Sequence, residues 1–156
     1  YICEHSDDGA LGLMINQPLD IHLGEILEQL DLPGGELDLP VFSGGPVQPE
    51  RGFVLHPPGT SWQNTAKVTD DVLLTTSRDV LAGIGRGEGP DEYLVALGYS
   101  GWSEGQLEEE LGSNAWLTCP ANTDILFRTP REERYKAVLQ LTGIDLNQLS
   151  ESGGHA

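Results

Sequence analysis

Tyr1-Ile-Cys-Glu-His-Ser-Asp-Asp-Gly-Ala-Leu-Gly-Leu-Met-Ile-Asn16 opens the chain and sets its fold class. Tyr1 to Glu4 reads as the end of a strand. Ala10 to Asn16 is an apolar run of buried-strand length, bounded by the turn formers Asp7-Asp8-Gly9 and by Gln17-Pro18. Two strands joined by so short a turn pair antiparallel. The hairpin is followed by helices and strands without a steady βαβ rhythm, which predicts α+β rather than a doubly wound parallel sheet.

Downstream, Leu23, Ile26, Leu27 and Leu30 recur at helical spacing before Pro33-Gly34-Gly35, which predicts a helix near residues 22 to 31 with its apolar stripe on a sheet. Leu39 to Phe42, Phe53 to His56 and Val72 to Thr75 read as strands. Ser77 is placed to cap a helix through Val80, Leu81 and Ile84 that Gly85, Gly87 and Gly89-Pro90 break, and a strand over Tyr93 to Tyr99 follows. Ser103-x-x-Gln106 fits a capping box ahead of a helix carrying Leu107 and Leu111 and stopped by Gly112. Trp116 to Cys119 reads as a strand closed by Pro120, and Asp124 to Phe127 as a short helical turn. Thr129-Pro130-Arg131-Glu132 predicts a last long helix with its own capping box and an N1 proline, packed through Tyr135, Val138 and Leu139. No internal repeat is visible. Residues 1–149 make one domain, and the Ser and Gly content of residues 150–156 predicts a flexible tail.

Composition narrows the class further. A chain of 156 residues, 38% hydrophobic, suits one domain that buries roughly two thirds of its unfolded surface without help from disulfides. The formal charge is −17, and 21 of the 25 acidic residues but only four of the eight basic ones precede position 128. Such a surface repels phosphate backbones, so autonomous DNA binding is disfavoured. The one basic cluster, Arg128, Arg131, Arg134 and Lys136, is interrupted by Glu132 and Glu133 and reads as a solvated helix face. Two cysteines, Cys3 and Cys119, favour a reducing compartment. With no run of about 20 apolar residues and no signal-like start, the expectation is a soluble, cytoplasmic protein that binds no membrane. Starting at what looks like a strand end, without methionine, the chain also leads us to expect residues upstream.

Several stretches taken together carry a resemblance: Tyr1-Ile-Cys-Glu-His5, Gly9-Ala-Leu-Gly-Leu-Met-Ile-Asn-Gln-Pro18, Ser43-Gly-Gly-Pro-Val-Gln48 and Arg51-Gly-Phe-Val-Leu-His56. Leu97-Gly-Tyr-Ser-Gly-Trp102, Gly105-Gln-Leu-Glu108 and Asn114-Ala-Trp-Leu117 add to it. The ordered set resembles the YqgE/AlgH family of bacterial proteins over nearly the whole chain. The resemblance implies a compact α+β fold with a strongly bent, mainly antiparallel sheet flanked by helices. It also implies an additional N-terminal segment and strand ahead of the Tyr1 position, and a regulatory role, since a member carries the label of transcriptional regulator.

Val41 to His56 is the densest candidate for a site. Glycines at Ser43-Gly44-Gly45-Pro46 let backbone N–H groups approach an anion, yet Pro46 and Pro49 favour an extended turn, and no Gly-x-x-x-x-Gly-Lys-Ser/Thr sequence exists. A structural turn is the stronger reading there. Arg51 adds a fork suited to a carboxylate or phosphate, or to a nearby Glu or Asp. Ser43 as a nucleophile needs a base, and His56 supplies one only if Phe53 to His56 pairs beside Leu39 to Phe42.

Leu97 to Trp102 sits at a strand-to-helix junction where Tyr99 and Trp102 are placed to line a pocket, although core packing competes. Cys3, His5, His56 and Cys119 include zinc-ligand types but lack a Cys-x-x-Cys partner, and buried apolar thiols are favoured over a redox pair. Asp7-Asp8, Asp70-Asp71 and Glu108-Glu109-Glu110 read as solvated turns and helix surface. The expected protein is therefore noncatalytic, without metal or cofactor, binding a small anionic molecule or a protein partner through Ser43, Gly44, Gly45, Arg51, His56, Tyr99 and Trp102. The alternatives are a hydrolase using Ser43 and His56, a thiol enzyme using Cys3, or transcription control by direct DNA contact.

Overall fold

A computed structural model describes residues 1–143. The tail expected at residues 150–156, and the domain end at 149, lie outside them. The opening hairpin is present: β1 (Ile2–Ser6) pairs antiparallel with β2 (Gly9–Gly12), with Ser6 opposite Gly9. The second strand stops at Gly12 rather than Asn16. Beyond it the chain leaves the ladder, Leu13 N–H donating to Tyr1 and Met14 N–H to the Gly44 carbonyl, and Leu13 plugs the core.

Next come β3 (Pro18–His22), α1 (Leu23–Gln29), β4 (Pro40–Ser43) and the long β5 (Val47–His56). They are followed by β6 (Thr65–Lys67), β7 (Leu73–Thr75), α2 (Arg78–Gly85) and β8 (Leu94–Trp102), then α3 (Gln106–Gly112), α4 (Thr123–Phe127) and α5 (Arg131–Leu141).

The sheet is built around β8, which serves different partners along its length. Leu94 to Leu97 pair antiparallel with β5 on one side, while Ala96 and Leu97 pair with β4, parallel, on the other. Past Gly98, Ser100 to Trp102 pair antiparallel with β2. Gly98 has φ +76°, and the strand bends there. The bend brings the Ser43-Gly44-Gly45 backbone against Gly98 and Tyr99 so closely that side chains are excluded: a Cβ on Gly44 would lie 2.3 Å from the Gly98 oxygen. The result is a curled, mainly antiparallel sheet in a single α+β unit.

Alternation along the central strands divides the core. Phe42, Phe53, Leu55, Leu94 and Ala96 face one cluster with Leu13, Leu74 and Leu126, whereas Val41, Val54 and Val95 face the other with Leu23, Leu27, Val80 and Ile84 of α1 and α2. Burial on both faces explains why these strands are continuously apolar in sequence.

Four local expectations are corrected. Ser103 lies ahead of the helix: α3 begins at Gln106 with Gly105 at its N-cap, although Ser103 N–H still donates to Gln106 Oε1 at 2.9 Å. Thr129 closes no capping box. Its hydroxyl donates to the Asp124 carbonyl at 3.0 Å at the end of α4, which leaves Pro130 as the N-cap of α5. Trp116 to Cys119 is not a strand, because Asn114 at φ +60° turns the chain back and Ala115 N–H bonds the Glu110 carbonyl, holding the segment near α3 and off the sheet. Tyr135 is 58% exposed, and α5 is packed instead through Leu139 and Arg134.

Candidate functional site

The seven residues singled out in the sequence fall in separate places. Ser43 N–H donates to the Gln17 carbonyl at 2.8 Å and Gly44 N–H to the Leu97 carbonyl at 2.9 Å, so both amides are used within the fold. The Gly44 carbonyl accepts from Met14 N–H and from Ser100 Oγ at 3.2 Å. These contacts and the excluded Cβ positions give the glycine pair an architectural task.

His56 is 1% exposed, with Nδ1 2.9 Å from the Pro57 carbonyl and Nε2 2.7 Å from Thr75 Oγ1, which in turn meets Thr65 Oγ1 at 2.8 Å. Both ring nitrogens are occupied. Strand β8 lies between β4 and β5: Ser43 and Gly52 both register with Leu97, and His56 is four positions further along. Two strand spacings and four residue rises separate Ser43 from His56 by roughly 16 Å. The serine and histidine therefore form no catalytic pair.

Arg51 and Tyr99 do meet through Phe53. The Arg51 guanidinium centre is 5.1 Å from the Phe53 centroid, and Phe53 packs edge-to-face on Tyr99 at 5.7 Å. Arg51 is exposed and has no ion pair among the described residues.

Trp102 belongs to a different place, a cleft of about 580 Å³ between the β1–β2 hairpin, α3 and residues 116–122. Trp102 and Trp116 pack edge-to-face at 5.9 Å, and their indole N–H groups donate to the same Glu110 Oε1 at 3.4 and 3.1 Å. Glu110 Oε2 is buried with no hydrogen-bond partner. Met14, Leu107 and Leu111 line the cleft, and at its mouth Trp116 and Leu117 are 49% and 64% exposed. Glu108 holds His5 at the lip, and that bond lowers the Glu108 pKa. Cys119 lines the same cleft, whereas Cys3 is buried and burial pushes its thiol up to about 12. A thiol so raised supplies almost no thiolate near neutral pH. Among the described residues, no group of three or more His, Cys, Asp or Glu is arranged to hold a metal ion.

A second cavity, about 500 Å³, opens between β4, residues 91–95 and the α4–α5 junction. Phe42, Tyr93, Phe127, Arg131 and Arg134 line it. Arg134 is not solvated: it is 9% exposed, stacks 4.9 Å from the Phe42 centroid, donates through Nε to the Thr129 carbonyl at 3.1 Å and through Nη1 to the Ile15 carbonyl. Burial lowers its pKa, and Glu132 partly offsets this. Arg128 is exposed, as expected, and grips Glu92 with two bonds of 2.9 Å. A sequence signal for Arg134 existed, because extending the Val138 and Leu139 stripe back one turn lands on Arg134 as well as Tyr135.

Comparison with known proteins is consistent across the chain. The family model described as AlgH-like (DUF179) matches residues 1–147. A UPF0301 protein of Hahella chejuensis is 53% identical over 156 residues, covering 100% of this chain and 84% of the relative. One from Nitrosospira multiformis is 54% identical over 159 residues, covering 100% and 86%. The solution structure of the AlgH protein from Pseudomonas aeruginosa superposes with a TM-score of 0.83 at 47% identity, over 96% of this chain and 81% of that one. A Corynebacterium diphtheriae protein shares the fold at a TM-score of 0.61 and 15% identity, over 79% and 65%.

Proposed function

We propose that this chain, which belongs to the AlgH-like family of bacterial proteins, is a noncatalytic cytoplasmic protein that regulates by holding a partner protein in the Trp102–Trp116 cleft. The observation that carries this reading is the exposure of Trp116 and Leu117 directly over an apolar cavity. Exposed apolar groups gathered over a concavity mark interaction sites, and tryptophan is enriched among the residues that anchor such interfaces. Glu110 fixes both indoles, so their geometry is prepared in advance. The exposed carboxylates of Glu104, Glu108 and Glu109 nearby favour a partner segment with basic flanks and disfavour nucleic acid. Two free thiols fit the cytoplasm.

Photocrosslinking in cells from a probe placed at Leu117 tests the proposal. A single crosslinked protein that disappears with Trp102→Ala supports it. No crosslink, or the same products from a probe at Gly59, which does not line the cleft, would overturn it.

A small anionic ligand at Arg51 is the second reading, favoured by the exposed guanidinium that no carboxylate engages among the described residues. A thermal-shift screen of anionic metabolites in which every stabiliser acts equally on Arg51→Ala would remove it.

A further inference from the structure

Arg134 is buried and forms no direct ion pair among the described residues. Buried charges are ordinarily paired, because removing a cation from water costs several kcal/mol. Two backbone carbonyls and the Phe42 ring satisfy part of the guanidinium, but Nη2 makes no hydrogen bond among the described residues. This side chain lines the cavity whose other walls are Phe42, Tyr93 and Phe127. Arg131, one turn earlier on α5, is exposed, lines the same cavity and has no ion pair among the described residues. Two forks on one helix face thus converge on an aromatic-walled space within the range of small-molecule sites.

We propose that this cavity binds an aromatic monocarboxylate, its carboxylate held by Arg134 and Arg131 and its ring against Tyr93 and Phe127. The acidic neighbours decide the charge of the ligand. Glu92 is taken by Arg128, but Asp91 and Glu132 remain on the lining and oppose a second negative charge. A monoanion is therefore favoured over a phosphate dianion. The aromatic walls favour a flat apolar body over a short aliphatic acid. The site is separate from the Trp102–Trp116 cleft and stands or falls independently of the partner reading.

Benzoate is a suitable probe, followed by NMR on the full chain through the Arg134 Nε–H resonance and the ring signals of Tyr93 and Phe127. Saturable, millimolar or tighter binding is expected to move all three, with inorganic phosphate much weaker. Arg131→Gln, at an exposed position that leaves folding intact, is expected to weaken benzoate several-fold. Resonances that stay in place through the titration would overturn the site. Phosphate binding as tightly as benzoate would overturn the monoanion assignment, and unchanged affinity in Arg131→Gln the paired clamp. Arg134→Lys separates positioning from charge: if it folds, it keeps the cation but loses the fork, and should bind benzoate more weakly than the wild type.

Discussion

Gly45 lies so close to the backbone of Tyr99 that a Cβ on the glycine would fall 2.2 Å from the Tyr99 carbonyl carbon. The approach joins the turn after β4 to the point where β8 changes partners, so the bend of the whole sheet rests on it. Gly45→Ala should therefore force two backbones apart and destabilise by about 3 kcal/mol or more, beyond ordinary overpacking. Gly59→Ala, where a Cβ meets nothing within 4 Å, is the control and should be near neutral. Urea denaturation midpoints of the two variants test this directly; similar midpoints would contradict it.

The two thiols should differ sharply in reactivity. Burial holds Cys3 up to about 12, while Cys119 is half-exposed on the cleft. Iodoacetamide at neutral pH is expected to modify Cys119 in the folded protein and Cys3 only after unfolding. Mass spectrometry after timed labelling reads the order, and native labelling of Cys3 at an equal rate would contradict it.

Much of this architecture was legible in local patterns, and the misses share a cause. Leu23, Ile26 and Leu27 announced α1, and the apolar run through Phe53 and Leu55 announced the core of β5, because each signal depends only on residues near in sequence. Strand β6 carries no apolar pattern, its three side chains being exposed, and β3 offers only the short Leu19-Asp20-Ile21 alternation between a proline and the start of α1. Trp116 to Cys119 has strand-like composition, yet its apolar side chains serve a cleft. The candidate residues scattered for a similar reason. Ser43 and His56 are separated by a strand drawn from a distant part of the chain, which no spacing within residues 41 to 56 encodes. The charge of Arg134 implies solvent in the sequence, whereas in the fold the Ile15 and Thr129 carbonyls and the Phe42 ring enclose it.

Asp79 should make folding sensitive to acid. Burial alone would raise its carboxyl pKa, but bonds from Ser77 Oγ at 2.5 Å and Gln63 N–H at 2.8 Å, with further backbone amides, outweigh it and the net shift is downward. A carboxyl depressed on folding contributes stability above the unfolded value near 3.8 and loses it as pH falls through the lower folded value. Asp79→Asn should cost about 1 kcal/mol at neutral pH and become nearly silent in strong acid. Denaturation curves at both pH values check the sign, and a cost that grows in acid would refute it.

Glu110 should control the order of Trp116. Its Oε1 accepts both indole N–H groups while Oε2 remains buried without a partner, so the carboxylate spends desolvation on positioning two rings. Glu110→Ala is expected to lower stability by no more than about 2 kcal/mol, because the lost bonds are offset by relief of the unpaired oxygen. The tryptophan emission should nevertheless shift to the red as Trp116 is released to water. An unchanged spectrum would show that the rings hold themselves.

Arg134→Leu tests whether the buried guanidinium also supports the fold. The apolar replacement removes the cost of burying a charge, which argues for tolerance. It also leaves the carbonyls of Ile15 and Thr129 without these donors and removes the cation from the Phe42 ring. Two carbonyls at about 1 kcal/mol each, plus the lost stacking, exceed the gain expected from an imperfectly packed leucine, so a net loss of about 2 kcal/mol is expected. Because Arg134 ties α5 to residues just beyond β2, the loss should appear first as faster amide exchange in α5. Exchange that accelerates equally across β8 would place the role of Arg134 in the core as a whole, and a stabilised variant would mean that the charge is kept at a cost to the fold.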